Sequence, residues 1–542
     1  MRMAPDLRLM SESTVDTTPL SALDHGLNRR QLVGLLGSGL AAATAGARPA
    51  AAQTDKPIAI IQNALGDGQR FSPAAVTDLA RTLSRRPFVP APNDVPEPFG
   101  EKQLNYEQYV GIKARPAARI WEGEGRGFVA EPLPRGFVFS TSVSLFTVED
   151  GQVRGIGFDP ARYDFGKINV PGNVRDLGFS GFRLSANQGD RPSFEFAIVQ
   201  GATFFRVLAR GQNFGIVARA LMLKPAEARG EEFPIFRAFW LERPPAGANA
   251  LVVHGLLDSE SATGVVRMTF RPGDVTIVDV ETTLFPRVNL EHVGLGGMGA
   301  TYLFGSNAKR AADDVRPAVF EANGLQMLNG QGEWLWRPLN NPDTLQVSAF
   351  LDANPRGFGL LQRMRDPAAF QDDNQHFEAR PSLWMEPIGE WAEGAVQLIE
   401  IPNDSEVNDN ILAYWRPKAP MAAGGEVSLA YRQFWCWAPP ERPALAQVTS
   451  TRQGRGSGGR RRRFVVEFVG EELGTAPPEL DAALTTGPGT ISAKKIWRYP
   501  KRKTVRVAFE LDPGSENACE LRLLLQAGAK PLSETWLYRW TP

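Results

Sequence analysis

The run Val266-Arg-Met-Thr-Phe-Arg-Pro-Gly-Asp-Val-Thr-Ile-Val-Asp-Val280 decides the fold class. Apolar Val266, Met268 and Phe270 alternate with Arg267, Thr269 and Arg271. A period of two puts the two sets on opposite faces of a strand. Pro272-Gly273 then reverses the chain, and a second strand runs through Val280.

Outward from this hairpin the same period recurs. Phe137, Phe139 and Thr141 alternate with Val138 and Ser140 from about Gly136, and Glu149-Asp150-Gly151 turns the chain. Short strands with frequent turn signals continue to about Trp415. A composition with 53 Gly and 42 Pro in 542 residues suits such a chain. The pattern predicts an all-β protein with a large antiparallel β-sandwich over residues 53–418. Two helical segments precede it. Ser72 caps a helix that starts at Pro73 and ends before Pro87. Tyr106 to Trp121 reads as a weaker helical or turn segment.

Residues 1–52 read as an export leader. Arg29-Arg30 precedes a small-residue apolar run from Leu32 to Ala47, and Ala50-Ala51-Ala52 offers a cleavage site. The paired arginines indicate the twin-arginine (Tat) route. The apolar run falls short of the roughly 20 residues a membrane span needs. No membrane span is therefore expected after cleavage. At the other end, Arg416 to Gly425 is rich in Pro, Ala and Gly and reads as a linker. Residues 424–542 then have the length and strand pattern of an immunoglobulin-like β-sandwich. Inside them, the Gly/Arg run Arg452 to Arg463 reads as a solvated mobile loop.

Sixty basic residues balance sixty acidic ones. That balance gives no support for a nucleic-acid or anionic-membrane partner and favours a neutral ligand. Cys436 and Cys519 leave one disulfide open. The four His, at 25, 254, 292 and 376, lack metal-ligand spacing, so no metal or cofactor is expected. Gly294-Leu-Gly-Gly-Met-Gly299 matches a dinucleotide fingerprint, but its continuation Ala300-Thr-Tyr-Leu-Phe-Gly305 reads as a strand rather than the required helix.

Chemistry concentrates between Gly332 and Trp415. Trp334, Trp336, Trp384 and Trp415 offer flat faces for the C–H faces of sugar rings. Arg337 and Asn340 can hydrogen-bond hydroxyls, and Glu400 and Glu406 supply carboxylates. The same tryptophans also suit a sandwich core, because Trp is highly buried on average. Asn408-Asp409-Asn410 taken alone is an ordinary turn.

Long motifs nevertheless resemble the osmoregulated periplasmic glucan biosynthesis proteins, types G and D, over essentially the whole mature chain. They include Asp176-Leu-Gly-Phe-Ser-Gly-Phe, Gly201-Ala-Thr-Phe-Phe-Arg, Glu231-Glu-Phe-Pro and Leu256-Leu-Asp-Ser. They continue with Gly332-Glu-Trp-Leu-Trp-Arg-Pro-Leu-Asn-Asn-Pro, Gly357-Phe-Gly-Leu-Leu-Gln, Arg380-Pro-Ser-Leu-Trp, Glu400-Ile-Pro and Leu532-Ser-Glu-Thr-Trp-Leu-Tyr. The paired arginines and Trp435-Cys-Trp-Ala-Pro-Pro look more like type D. The resemblance implies a long cleft in the first sandwich and a β-1,2-linked glucan as partner, with the inner-membrane glucan synthesis machinery nearby. It implies an inverting β-1,2-glucanase or a transglycosylase, or a glucan-binding scaffold without turnover. Carried over by position, Asp409 is the general acid, with Glu406 as its neighbour. Glu321 falls where the family usually has an Asp base. The extra methylene bears on water activation, and so on hydrolysis against transfer.

Overall fold

The computed structural model describes residues 56–542 apart from 93, 173, 188–192, 307–312, 442 and 476–478. The leader with Arg29-Arg30 lies outside the described residues.

The deciding hairpin forms as read. Ala262–Arg271 pairs antiparallel with Thr276–Pro286, Phe270 opposite Val278 and Arg271 opposite Ile277. It sits inside a fifteen-stranded sheet. A second sheet of ten strands packs against it face to face. Phe182 of the smaller sheet meets Phe239 of the larger with ring centres 5.0 Å apart, and Phe196 meets Phe270 at 6.0 Å. The inner alternating residues of both sheets thus form one core, the arrangement that half-buried antiparallel strands require. At Glu149-Asp150-Gly151 the chain reverses with Asp150 and Gly151 both at positive φ, as a tight hairpin demands.

The helix Pro73–Ser84 begins where its cap predicts, with Ser72 Oγ accepting the Ala75 N–H at 3.2 Å. Its apolar stripe of Val76, Leu79, Ala80 and Leu83 packs on Trp240, Leu256 and Phe285. The second helical segment shrinks to Tyr106–Val110, capped by Asn105.

A four-stranded sheet of Gln447–Arg455, Arg462–Val469, Thr504–Asp512 and Thr490–Tyr499 closes the C-terminal part. Its Phe464, Val466 and Phe509 share a second core with Leu523, Trp536 and Tyr538. Two sequence readings change here. Half of the Gly/Arg run is strand, Arg452 pairing with Val465 and Arg455 with Arg462, and only residues 456–461 form the loop between the two strands. The stretch Arg416–Gly425 does not lead out of the first sandwich. The strand after it, Val427–Cys436, inserts between Thr276–Pro286 and Ser382–Ile388 of the large sheet. Pro, Ala and Gly mark a turn, and a turn within a sheet has the same composition as a linker.

The large sheet also crosses from one core into the other. Trp334–Pro338 lies parallel to Thr535–Trp540, Leu335 opposite Thr535 and Trp336 opposite Trp536. No disulfide joins Cys436 to Cys519, and both are buried.

Candidate active site

The outer face of the ten-stranded sheet floors a cleft of about 2870 Å³. Strand periodicity aims Ile198 and Gln200, Phe204 and Arg206, Val217 and Arg219 into it, while Val199, Val207 and Ala218 point to the core. A small-molecule site is typically about 300–1,000 Å³, so this volume suits a polymer segment.

Glu321, Glu406 and Asp409 all line this cleft. Glu321 follows the short strand Val319–Phe320 and is fixed by Thr301. Its N–H donates to the Thr301 carbonyl at 2.9 Å, and Thr301 N–H donates to Glu321 Oε2 at 3.2 Å. The Thr301 hydroxyl donates to the carbonyl of Asn408, next to Asp409, at 3.0 Å. One buried threonine therefore positions both carboxylate-bearing segments.

Three asparagines tie the Asp409 loop to its surroundings. Asn341 Nδ2 donates to the Asn403 carbonyl at 2.6 Å, and Asn403 N–H returns a bond to Asn341 Oδ1 at 2.8 Å. Asn403 Nδ2 donates to the carbonyls of Ser405 and Asn408. Asn410 accepts from Tyr302 N–H and donates to the Tyr302 and Ile401 carbonyls. Gly299, last residue of the false dinucleotide motif, lies in the strand Val293–Ala300. A methyl group there would sit 3.3 Å from Asp409 Oδ2, so the glycine makes room for the carboxylate.

Desolvation at the cleft floor pushes the Glu321 carboxyl above the usual carboxylate range. Arg380 and Arg206 oppose the shift, and the Asp409 charge adds to it. Arg380 is itself tied to the loop that carries Glu406 and Asp409. Its Nη2 donates to Gln375 Oε1 at 2.9 Å, and Gln375 N–H donates to Asp372 Oδ1 at 2.9 Å. Asp372 Oδ2 meets Arg316 Nη1 at 2.8 Å, and Arg316 Nη2 meets Glu406 Oε2 at 2.7 Å.

The remaining expected site residues lie elsewhere. Trp384 (1% exposed) and Trp415 (0%) are core residues, and neither lines the cleft. Trp384 belongs to the other sheet. On Ile411–Pro417, alternation sends Leu412 to the cleft and Trp415 inward. Trp334 stacks on Trp384, and Trp336 packs in the second core beneath Arg363. Arg337 Nη2 pairs with Glu400 Oε2 at 2.9 Å, and Asn340 N–H donates to Glu400 Oε1 at 2.7 Å. Burial raises the Glu400 carboxyl and Arg337 pulls it back. These three make a closed internal cluster outside the cleft lining.

The aromatic surface of the cleft comes instead from Tyr106, Phe137, Phe139, Phe204 and Phe233. Sequence reading missed these residues, as it missed Thr301 and the asparagine frame. The period-two reading of Phe137 and Phe139 does not hold, because Gly136 to Phe139 is a tight turn and the strand begins only at Ser144.

The family described as "Periplasmic glucan biosynthesis protein, MdoG" matches residues 71–540. A "Glucans biosynthesis protein G" from Bradyrhizobium diazoefficiens is 43% identical over 520 residues, 95% of this chain and 100% of that protein. Proteins of the same name from Shewanella sp. (strain ANA-3) and Vibrio cholerae are 42% and 41% identical. They cover 91% and 87% of this chain, and 92% and 87% of their own lengths. These relatives are named type G and give no support to the expected leaning towards type D. A galactose mutarotase related enzyme from Lactobacillus acidophilus overlaps 44% of this chain and 95% of its own, at 8% identity and a TM-score of 0.20. That likeness carries no argument.

Proposed function

The chain belongs to the periplasmic glucan biosynthesis protein family, MdoG, and from that premise we propose that it acts on the backbone of a β-1,2-linked glucan. The reading is an inverting endo-glucanase or a transglycosylase working with two carboxylates. What carries it is the convergence of Asp409 and Glu321 on Thr301 in a cleft sized for a polymer. An inverting site needs one carboxyl to protonate the leaving oxygen and another to draw a proton from the attacking hydroxyl. Family position makes Asp409 the acid and Glu321 the base. The raised Glu321 carboxyl favours a second reading with the roles exchanged, since a general acid must hold its proton.

Purified mature protein incubated with linear β-1,2-glucan tests the activity. Asp409→Asn removes a proton donor, and general acid catalysis is worth roughly 10²–10⁴-fold. An activated aryl β-glycoside needs no protonation of its leaving group. It restores turnover to Asp409→Asn if Asp409 is the acid, and to Glu321→Gln if the roles are exchanged. Binding of glucan with no product from the wild-type protein makes the chain a glucan-binding scaffold.

The family is named periplasmic. Export is assigned to the twin-arginine route on Arg29-Arg30, and a Lys-Lys variant that still reaches the periplasm overturns this. We infer a division into two β units between residues 437 and 446, after Val427–Cys436 and before Ala446, with Trp336 and Leu361 reaching the second core from the first unit. Limited proteolysis that cuts first elsewhere refutes that boundary. Among the described residues no helix is long and apolar enough to cross a membrane.

A further inference from the structure

Basic and acidic residues balance over the whole chain but not over its parts. Residues 446–542 hold sixteen Lys and Arg against ten Asp and Glu, so the rest of the chain carries the matching acidic excess. Charge asymmetry of this kind points to an anionic partner for the basic part.

The four-stranded sheet turns Phe464, Val466, Val507 and Phe509 into the second core. Its other face is open. Residues opposite each other on antiparallel strands share a face, so the register maps that open side. One row runs Arg452, Val465, Ala508, Lys495, and the next runs Ser450, Glu467, Arg506, Trp497. Each row crosses three strand spacings, roughly 14 Å. Tyr499 follows on the same face of Thr490–Tyr499, and the single turn Pro500–Arg502 adds Lys501 and Arg502 at that end. Arg452, Lys495, Lys501 and Arg502 are exposed, and Trp497 is 41% exposed.

The acids of this face are already engaged. Glu467 meets Arg506 at 2.6 Å, and Glu510 meets Arg463 at 2.8 Å. Lys494 and Lys503 pair with Asp481 and Glu471 beside it. Arg452, Lys495, Lys501 and Arg502 meet no carboxylate among the described residues. Lysine on an edge strand also deters pairing with another sheet. That role accounts for Lys495 but not for the exposed indole beside it. Nor does it account for Lys501 and Arg502 beyond the strand end, or for Arg452 on the far strand of the sheet. A flat basic face bordered by an indole and a phenol matches the surface of an anionic bilayer. The cations meet phosphate headgroups, and Trp and Tyr rings settle at headgroup depth with the apolar body inward. A soluble polyanion would use the cations alone.

We propose that this face, through Arg452, Lys495, Trp497, Tyr499, Lys501 and Arg502, docks the protein peripherally on a bilayer of anionic phospholipid. None of these residues lines the cleft, so docking and the cleft use separate surfaces. The acidic excess of the remaining chain is repelled by the same bilayer, which orients the protein with its basic sheet towards the lipid. The inference does not rest on the proposed function.

The test sediments the mature protein with vesicles of phosphatidylcholine alone, or of phosphatidylcholine and phosphatidylglycerol in equal parts, at low salt. Binding is expected to the anionic vesicles only, and high salt should release it. Lys495→Gln and Lys501→Gln are each expected to weaken that binding about fivefold, the worth of one cation near such a surface. Lys530→Gln removes an exposed cation from the other sheet of the same unit and should change binding less than about twofold. Binding to neither vesicle, or to both alike, overturns the inference. A loss in Lys530→Gln as large as in Lys495→Gln also overturns it, because net charge would then act without a patch. Bromine-carrying phosphatidylcholine in the anionic vesicles reads the indole. It should quench the fluorescence of the parent protein and spare that of Trp497→Phe. Absence of quenching in the parent, or equal quenching in both, overturns the docking of this face on a bilayer. The substituted side chains are all exposed, so the parent's melting midpoint is expected throughout.

Discussion

Thr301 and Glu321 hold each other through two hydrogen bonds, Glu321 N–H to the Thr301 carbonyl and Thr301 N–H to Glu321 Oε2. The free arm of the threonine, its hydroxyl, goes to the Asp409 loop. Thr301→Val keeps the backbone bonds and the shape but deletes that arm. The Asn408 carbonyl loses one of its two donors and keeps Asn403 Nδ2, so the cost in stability is at most about 1 kcal/mol. Small misplacements of a catalytic group cost up to roughly a hundredfold, so turnover should fall much more than stability does. A variant with normal turnover shows that the asparagine frame alone positions Asp409.

Glu321 should make stability depend on pH with a defined sign. Its carboxyl is raised in the folded protein, so the ionised form is the disfavoured one. Its contribution is fully present below the ordinary carboxylate range and is lost as pH rises through the raised value. Glu321→Gln carries no such loss. The melting temperature of Glu321→Gln should therefore gain on that of the wild-type protein as pH climbs from acid towards neutral. A pH-independent difference contradicts the assignment.

Arg380 opposes the rise of the Glu321 carboxyl. Arg380→Met keeps an apolar stem and removes the guanidinium, which lies over Phe377. If Glu321 is the base, the acid limb of the pH–rate profile should move to higher pH. A limb that stays in place separates Glu321 from the rate.

Arg316 binds Asp314, Asp372 and Glu406 together. Arg316→Gln should lower turnover while the binding of glucan changes little, and Arg316→Lys should recover only part. A planar fork satisfies several carboxylates at once where a single ammonium does not. Equal losses in turnover and binding place Arg316 in ligand contact instead.

Trp384 is a core residue, 1% exposed, with its indole N–H on Glu386. Trp384→Ala should cost roughly 3–5 kcal/mol in chemical denaturation. Glucan affinity of the folded fraction should not change. A selective loss of affinity returns Trp384 to the site.

Strand alternation made the fold class legible, because Val266, Met268 and Phe270 bury on one side whatever their partner strands are. The Ser72 cap was legible for the same local reason. The tryptophans were not. Whether Trp415 faces the cleft or the core depends on which face of its sheet is covered, and that is settled by the distant strands facing it. The frame around Asp409 was hidden differently. Asn403 and Asn410 look like turn formers, and their role appears only when Asn341 and Tyr302 arrive from elsewhere in the chain.

Trp334–Pro338 lies between Gly324–Leu328 and the final strand Thr535–Trp540. During synthesis Thr535–Trp540 leaves the ribosome long after Trp334–Pro338 has emerged. Until it does, Trp334–Pro338 is an open edge carrying two indole side chains, a template for pairing with another nascent chain. The large sheet can therefore close only after Thr535–Trp540 has emerged. A chain truncated before Thr535 should aggregate rather than lose glucan turnover alone, and chaperone demand should fall on the interval between those two strands.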